Sequence, residues 1–480
     1  MRSGGKVSPQ RPRLRDLSRV CFVLALIAGC AMPPSAPMQP VAGVRYAFVV
    51  LGEDGQAVAR AITSEAACPS IAFDGRAESM DIRALPALIA RRPPRYGQGD
   101  AKPAAFPVLT CEKVIPAGVL RATIEGRALP LPKAAPQRIV VLGDTGCRLL
   151  AYGSTFQACN DPVAWPLRTV SDAAAAAAPD LVIHVGDYHY RENACPPGNA
   201  GCAGSAWGYG WDAWEADLFA PAQRLLAAAP WIVVRGNHET CARAGQGWWR
   251  FLDPRPVAAR QNCEHPADDA TGDYSEPYAV PLGTRAAADT QFIVFDSSVV
   301  GIAPLAAADP MYGNYRAQFE QAFALAARRP ENFFLVHHPV LAFAANPGNA
   351  EAPYPGNAGL QSVLHTLSPN VLFPPNVRAV LSGHNHLFEV VSFATPQPAQ
   401  FVLGNGGDWA DLPLRTPQPA GVTPAPGAIV ASMVALTAFG FTTMERTVAG
   451  WRFVARDTRG VPMTTCTLDG KKANCVAQGG

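Results

Sequence analysis

Five short blocks in this chain carry side chains that hold metals or move protons, four of them together with glycine. They are Gly143-Asp144-Thr145-Gly146, Gly186-Asp187-Tyr188-His189-Tyr190, Gly236-Asn237-His238-Glu239, His337-His338-Pro339 and Gly383-His384-Asn385-His386. Six of the nine histidines fall inside them. Two carboxylates, a carboxamide oxygen and several imidazoles are ligands for hard or borderline divalent and trivalent cations. They are too many for one tetrahedral ion and suit two ions with one carboxylate between them. Such a pair clamps a phosphate, generates hydroxide at neutral pH and stabilises both oxygens of an in-line displacement. Tyr190 adds a phenol, whose anion is hard and suits trivalent iron better than zinc. Each block alone is a weak signal, since a Gly-Asp after a strand is usually only a turn. Their succession gives the signal its force.

What positions these blocks is equally legible. Each follows an apolar run: RIVVL, LVIHV, WIVVR, NFFLV and VRAVLS. Ala-rich helical stretches such as SDAAAAAA, WEADLFAPAQRLLAAA and YRAQFEQAFALAARR lie among them. This alternation predicts an α/β fold with sheets covered on both faces. The carboxyl ends of the strands would form one ligand-bearing rim, and the glycines would allow close backbone approach there. Ser171 is the expected N-cap of the Ala run. The turn LGNGG, Leu403 to Gly407, follows a further apolar run and is expected to cradle phosphate with its amides. His184, inside a strand, reads as a hydrogen-bonded core histidine.

The block order GDxG, GDxxY, GNHE, an apolar run with His, and GHxH resembles the calcineurin-like metallophosphoesterases over roughly residues 138 to 410, and most of all their purple acid phosphatase branch. The branch implies a four-layer α/β/β/α sandwich preceded by a small β-sandwich-like domain. It implies that Asp144, Asp187, Tyr190 and His386 hold a first metal, ferric iron, and that Asp187 bridges to a second. Asn237, His337 and His384 would complete the second site, for zinc, manganese or ferrous iron. His238 would act beside the phosphate with Glu239 behind it. Apart from the resemblance, His189, Glu239 and His338 are candidates for contacts behind the ligands or with the substrate, and the general acid is left open among His238, His338 and His189. Outside this branch the first block generally reads DxH; here Gly146 occupies the third position, and a tyrosine appears where the purple pattern needs one. The implied activity is hydrolysis of phosphomonoesters by a metal-activated hydroxide. A phosphodiesterase or nucleotidase on the same core, and a non-catalytic surface protein retaining the fold, are the alternatives. The chain has no HExxH, which disfavours a zinc peptidase.

The start of the chain reads as targeting sequence. A basic segment precedes VCFVLALIAG, an apolar stretch too short to span a bilayer. It ends in LIAGC, which resembles a lipobox and implies a signal peptide over residues 1–29 with lipidation of Cys30. Removing residues 1–29 takes away six Lys/Arg and one Asp, turning a net charge of +2 into −3. Neither value argues for nucleic-acid binding. Residues 30–42 are Pro-rich and read as a tether. Residues 43–133 carry short apolar runs between turn residues and read as a small β-rich domain, with 134–480 as the catalytic domain. Ten cysteines remain, and their spacing suggests Cys68 with Cys111, Cys147 with Cys159, Cys195 with Cys202, Cys241 with Cys263 and Cys466 with Cys475. The expected setting is the periplasm or cell envelope, with contact to a membrane through the lipid alone and a small phosphorylated substrate as partner. The sequence carries no signal for an oligomeric state.

Overall fold

The computed structural model describes residues 43–92, 101–257, 260–283 and 288–477. The expected signal peptide, Cys30 and the tether lie outside them. The apolar runs form the strands β1 (Arg138–Leu142), β2 (Leu181–His184), β3 (Trp231–Val233), β4 (Glu331–Val336), β5 (Val377–Ser382) and β6 (Ala399–Leu403). β1, β2 and β3 pair in parallel, with Ile139 opposite Leu181 and Val182 opposite Trp231. β4, β5 and β6 also pair in parallel, in a second sheet. Among the described residues the first sheet has eleven strands and the second has seven.

Alternation along each strand builds the layers. Ile139 and Val141 of β1 point into a core between the sheets, where Phe333 and Leu335 of β4, Leu381 of β5 and Phe401 of β6 meet them. Val140 and Leu142 point the other way, against helices α1 (Leu167–Ala176) and α2 (Gln223–Ala228). On the far side, Phe334 and Val380 pack on α3 (Pro310–Ala326) and α4 (Ala358–Leu367). The order helix, sheet, sheet, helix is the four-layer sandwich expected. Both faces of the parallel strands are covered, which is why they read as continuous apolar runs.

Helix α1 begins earlier than its sequence suggests. Pro166 stands at its N-cap, and Ser171 is buried in its interior. Val170 and Ala174 then face the sheet, so apolar spacing, not the Ser-Asp pair, sets the start. The N-terminal residues are β-rich, as expected. Strands Val44–Leu51, Ala57–Thr63, Leu109–Val114 and Asp81–Ala84 nonetheless continue the first sheet, entering it where Val50 pairs in parallel with Trp231. Val44, Ala47 and Leu109 share one core with Ile139 and Val141. Position 133 is therefore a change of composition within a continuous sheet, and the described residues form one compact unit.

All five expected disulfides are present with the pairing suggested by spacing. No helix among the described residues is long and apolar enough to cross a membrane.

Candidate dinuclear metal site

The turns leaving β1, β2 and β5 bend sharply. Asp144, Asp187 and His384 all have positive φ, at 55°, 57° and 70°. This region costs a non-glycine residue on the order of 1 kcal/mol or more and persists only where surroundings over-determine it. Here the turns hold one another. Asp144 N–H donates to Gly186 O at 3.0 Å, and Thr145 N–H to Asp187 O at 3.0 Å. His384 N–H donates to the Asp144 carboxylate, 3.0 Å from each oxygen. Gly236 packs so tightly on Asp187 that a Cβ there would collide with its carboxylate.

These turns bring all seven expected ligands together, in two groups that share one oxygen. In the first group, Tyr190 Oη lies 3.0 Å from Asp144 Oδ1, 2.8 Å from Asp187 Oδ2 and 3.0 Å from His386 Nε2. In the second, Asn237 Oδ1 lies 3.0 Å from His337 Nε2 and 2.9 Å from His384 Nδ1. His337 Nε2 is also 3.2 Å from Asp187 Oδ2. Donor atoms of Asp187, His337 and His384 all lie within 4.8 Å of one another. Asp187 is thus the hinge of the cluster. Asp144, Asp187, Tyr190 and His337 are buried, while Asn237 and His384 retain partial exposure.

The donor set fits cations. His337 Nδ1 faces Val185 O at 2.9 Å and His386 Nδ1 faces Trp409 O at 2.8 Å. A proton on each Nδ1 leaves each Nε2 lone pair aimed into the cluster. Burial lowers both imidazoles, but the carboxylates outweigh it: Asp187 raises His337 to about 9, and Asp408 with Asp411 raises His386 to about 10. The cluster therefore favours positive charge strongly. Burial, with Asp144 and Asp187 alongside, pushes the Tyr190 phenol well above its usual value. Its proton leaves only in exchange for another strong cation.

Gly146 explains how Tyr190 reaches the cluster. A Cβ at Gly146 would stand 2.8 Å from Tyr190 N and 2.9 Å from Tyr188 O. The missing side chain of the first block is the space into which the tyrosine-bearing loop fits. Asp217 then accepts from Tyr190 N–H at 2.8 Å and Cys147 N–H at 3.0 Å, joining the two loops.

The remaining expected residues surround this centre. The His238 ring packs at a tilt beside Tyr190, with ring centroids 3.8 Å apart, and its backbone N–H donates to Asp187 Oδ1 at 2.8 Å. Its Nδ1 lies 2.9 Å from Glu192 Oε1. Glu239 accepts backbone N–H groups from Asp187, Tyr188, His189 and Gly236 at 2.9–3.2 Å, so it fixes the second block from behind. His338 packs 4.3 Å from the His384 ring, with Nδ1 2.9 Å from Ser297 Oγ. His189 points elsewhere: its Nε2 meets Gly208 O at 2.8 Å and its ring packs on Tyr209 and Trp214. That placement makes it a packing residue and not a substrate neighbour. His184 is the core histidine expected, bonded to Thr145 Oγ1 at 3.0 Å.

The LGNGG turn does not stand as a phosphate cradle. Gly406 N–H donates to Gly143 O at 3.0 Å, and a Cβ at Gly404 would lie 2.6 Å from Asp144 Oδ2. These glycines brace the first block and deliver Asp408 to it. Sequence reasoning missed Asp408, and with it Arg148, Glu192 and Arg243. A signal for Asp408 was present, because it too follows a strand and glycines. Glu192 and Arg243 carried none, since they lie 46 and 5 residues from their shared partner His238 in no recognisable motif.

Parallel strand ends from two facing sheets, converging on two carboxylates, a phenol, an amide and three imidazoles, define a phosphate-ester hydrolase of the two-sheet type. The chain belongs to the calcineurin-like phosphoesterase family, whose family model matches residues 137–388, more than half its length. In fold it is similar to the purple acid phosphatase PPD1 from yellow lupin (Lupinus luteus) seeds, at 14% identity and a TM-score of 0.53 over 91% of this chain and 74% of that one. It is also similar to PhoD, at 14% identity and a TM-score of 0.52 over 91% of this chain and 92% of that one. No curated protein sequence matches significantly.

Proposed function

We propose that the protein is an exported acid phosphatase of the purple type, hydrolysing phosphomonoesters at the Asp187-centred cluster. The observation that carries this is Tyr190 Oη within 3.0 Å of Asp144, Asp187 and His386, admitted by Gly146. Asp144, Asp187, Tyr190 and His386 would hold ferric iron, and Asp187, Asn237, His337 and His384 would hold zinc, manganese or ferrous iron. Two such ions supply Lewis acidity toward the phosphoryl group and lower the pKa of water.

The chain's own groups do the rest. Burial, then Arg243, lowers the His238 imidazole to about 3, so it is neutral at working pH. Glu192 accepts from its Nδ1–H and fixes the ring against Tyr190. Nε2 lies 3.9 Å from Asp187 Oδ2 and 2.8 Å from Arg243 Nη2. His238 would stabilise charge on the phosphoryl group or, once substrate displaces the Arg243 contact, protonate the leaving alcohol. His338, beside His384, is the second candidate for that proton transfer. Glu239 acts as a positioning residue by holding the turn that carries Asp187. Five disulfides support an exported protein, and Cys30 would carry the lipid anchor.

A panel of phosphomonoesters and phosphodiesters, run with metal analysis on the same sample, tests this reading. Monoester turnover with two metal equivalents is the expected result. Two bound metals with no turnover of either ester class would favour a binding protein instead.

A further inference from the structure

Arg148 stands over the Tyr190 half of the cluster and ligates nothing in it. Its guanidinium lies 5.1 Å from the Tyr190 ring centroid, and Nη2 is 3.4 and 3.5 Å from the two nitrogens of His386. Asp408 holds it in a fork: Nε is 3.2 and 3.1 Å from the two carboxylate oxygens, and Nη2 also donates to Oδ2. The Asp408 side chain is fully buried, whereas that of Arg148 keeps 21% of its surface exposed. The pair is built into the fold. Cys147, beside Arg148, is bonded to Cys159. Arg148 N–H donates to Gln157 Oε1 at 3.0 Å, and Gln157 Nε2 donates to Gly407 O at 2.9 Å, next to Asp408. This is a cation fixed in place, unlike a mobile surface arginine.

A fixed guanidinium so close to donors that gather cations works against them. Asp408 offsets its charge, but two apolar residues would have avoided the conflict altogether. The arrangement becomes favourable when an anion with several oxygens arrives, because Nη1, outside the fork that holds Asp408, keeps N–H groups to donate to a phosphoryl oxygen. We infer that Arg148 is a substrate-binding residue that contacts a terminal phosphoryl oxygen and favours dianionic monoesters over monoanionic diesters. A monoester has three terminal oxygens and a diester two, so only the monoester has one to spare beyond the two that face the ligand cluster. This rests on the phosphoesterase reading above and names the residue that selects the ester class.

The test uses the full chain and three variants: Arg148→Gln, Arg148→Lys, and Arg148→Gln with Asp408→Asn. The double variant keeps a neutral pair where Gln alone would leave the buried Asp408 carboxylate without its guanidinium, facing His386 Nδ1 at 3.2 Å. Each is assayed on p-nitrophenyl phosphate and bis-p-nitrophenyl phosphate, and inorganic phosphate binding is measured by calorimetry. Both Gln forms should lose about 30-fold in monoester kcat/KM, mostly through KM, with phosphate Kd about tenfold weaker. Diester kcat/KM should change by less than about threefold, and Lys should recover part of the monoester loss. Equal losses on both esters, or an unchanged phosphate Kd in the double variant, would overturn the assignment of Arg148. A wild type inactive on both esters would instead remove the phosphoesterase reading, and the inference with it.

Discussion

The two halves of the cluster share Asp187 but are built differently. The Tyr190 half is made of a phenol, a carboxylate and an imidazole, all buried, and is braced by Gly146, Asp217 and the turn around Asp408. The Asn237 half has a neutral amide oxygen and two imidazoles, with Asn237 and His384 partly open to solvent. More anionic, enclosed donors suit a cation of higher charge that stays in place; neutral, open donors suit a divalent ion that exchanges. The proposal of two unlike metals rests on this difference in the depth and charge of the loops.

The largest effect should come from the residue the halves share. Asp187→Asn is expected to reduce kcat by at least about 1,000-fold, roughly 4 kcal/mol of barrier, and to lower the stoichiometry of both metals. Loss of one metal alone would show that Asp187 belongs to one half only. A smaller effect should separate the halves. Gly146→Ala places a methyl group 2.8 Å from Tyr190 N, and should cost about 1–3 kcal/mol in stability through overpacking. Metal should be lost from the Tyr190 half while the Asn237 half keeps its ion. An unchanged melting temperature together with two full equivalents of metal would show that the cleft at Gly146 does not set the loop.

The smallest effect comes from a buried carboxylate outside both halves of the cluster. Glu389, on the strand Phe388–Phe393, accepts one backbone N–H, from Phe343 at 3.0 Å. Burial raises Glu389 from an ordinary value of 4.5 to about 8. The unfolded chain therefore releases this proton first, and the folded protein loses stability as pH climbs through that window. Glu389→Gln removes the loss. Its stability advantage should be absent at low pH and grow by about 1 kcal/mol per pH unit between pH 5 and 7. An advantage that is constant with pH would place the ionisation elsewhere.

The five turns of the candidate site were legible in the sequence because each joins a continuous apolar run to a ligand-type residue, four of them beside glycine. That coupling of parallel strand and rim is local in the chain. Four of the disulfide pairs were legible for the same reason, and Cys68 with Cys111, 43 residues apart, was the pair left over. What escaped was decided by distant contacts. Arg148 meets Asp408 across 260 residues, and no local spacing marks such a pair. The N-terminal strands look like a separate domain because their composition differs, yet Val50 meets Trp231 in one sheet. His189 looked catalytic through proximity in sequence, but the turn that aims Tyr190 into the cluster sends His189 toward Trp214. The start of α1 was misplaced because Ser171 has the right chemistry for a cap on a face the sheet buries.

The central claim is that Tyr190 replaces the ligand missing at Gly146. The direct measurement is the visible absorption spectrum of the iron-loaded protein and of Tyr190→Phe, with metal content determined on both. A phenolate on ferric iron gives a charge-transfer band in the visible. The account predicts that band in the parent and its disappearance in Tyr190→Phe, while the Asn237 half keeps its metal. An iron-loaded, active parent without colour would contradict it.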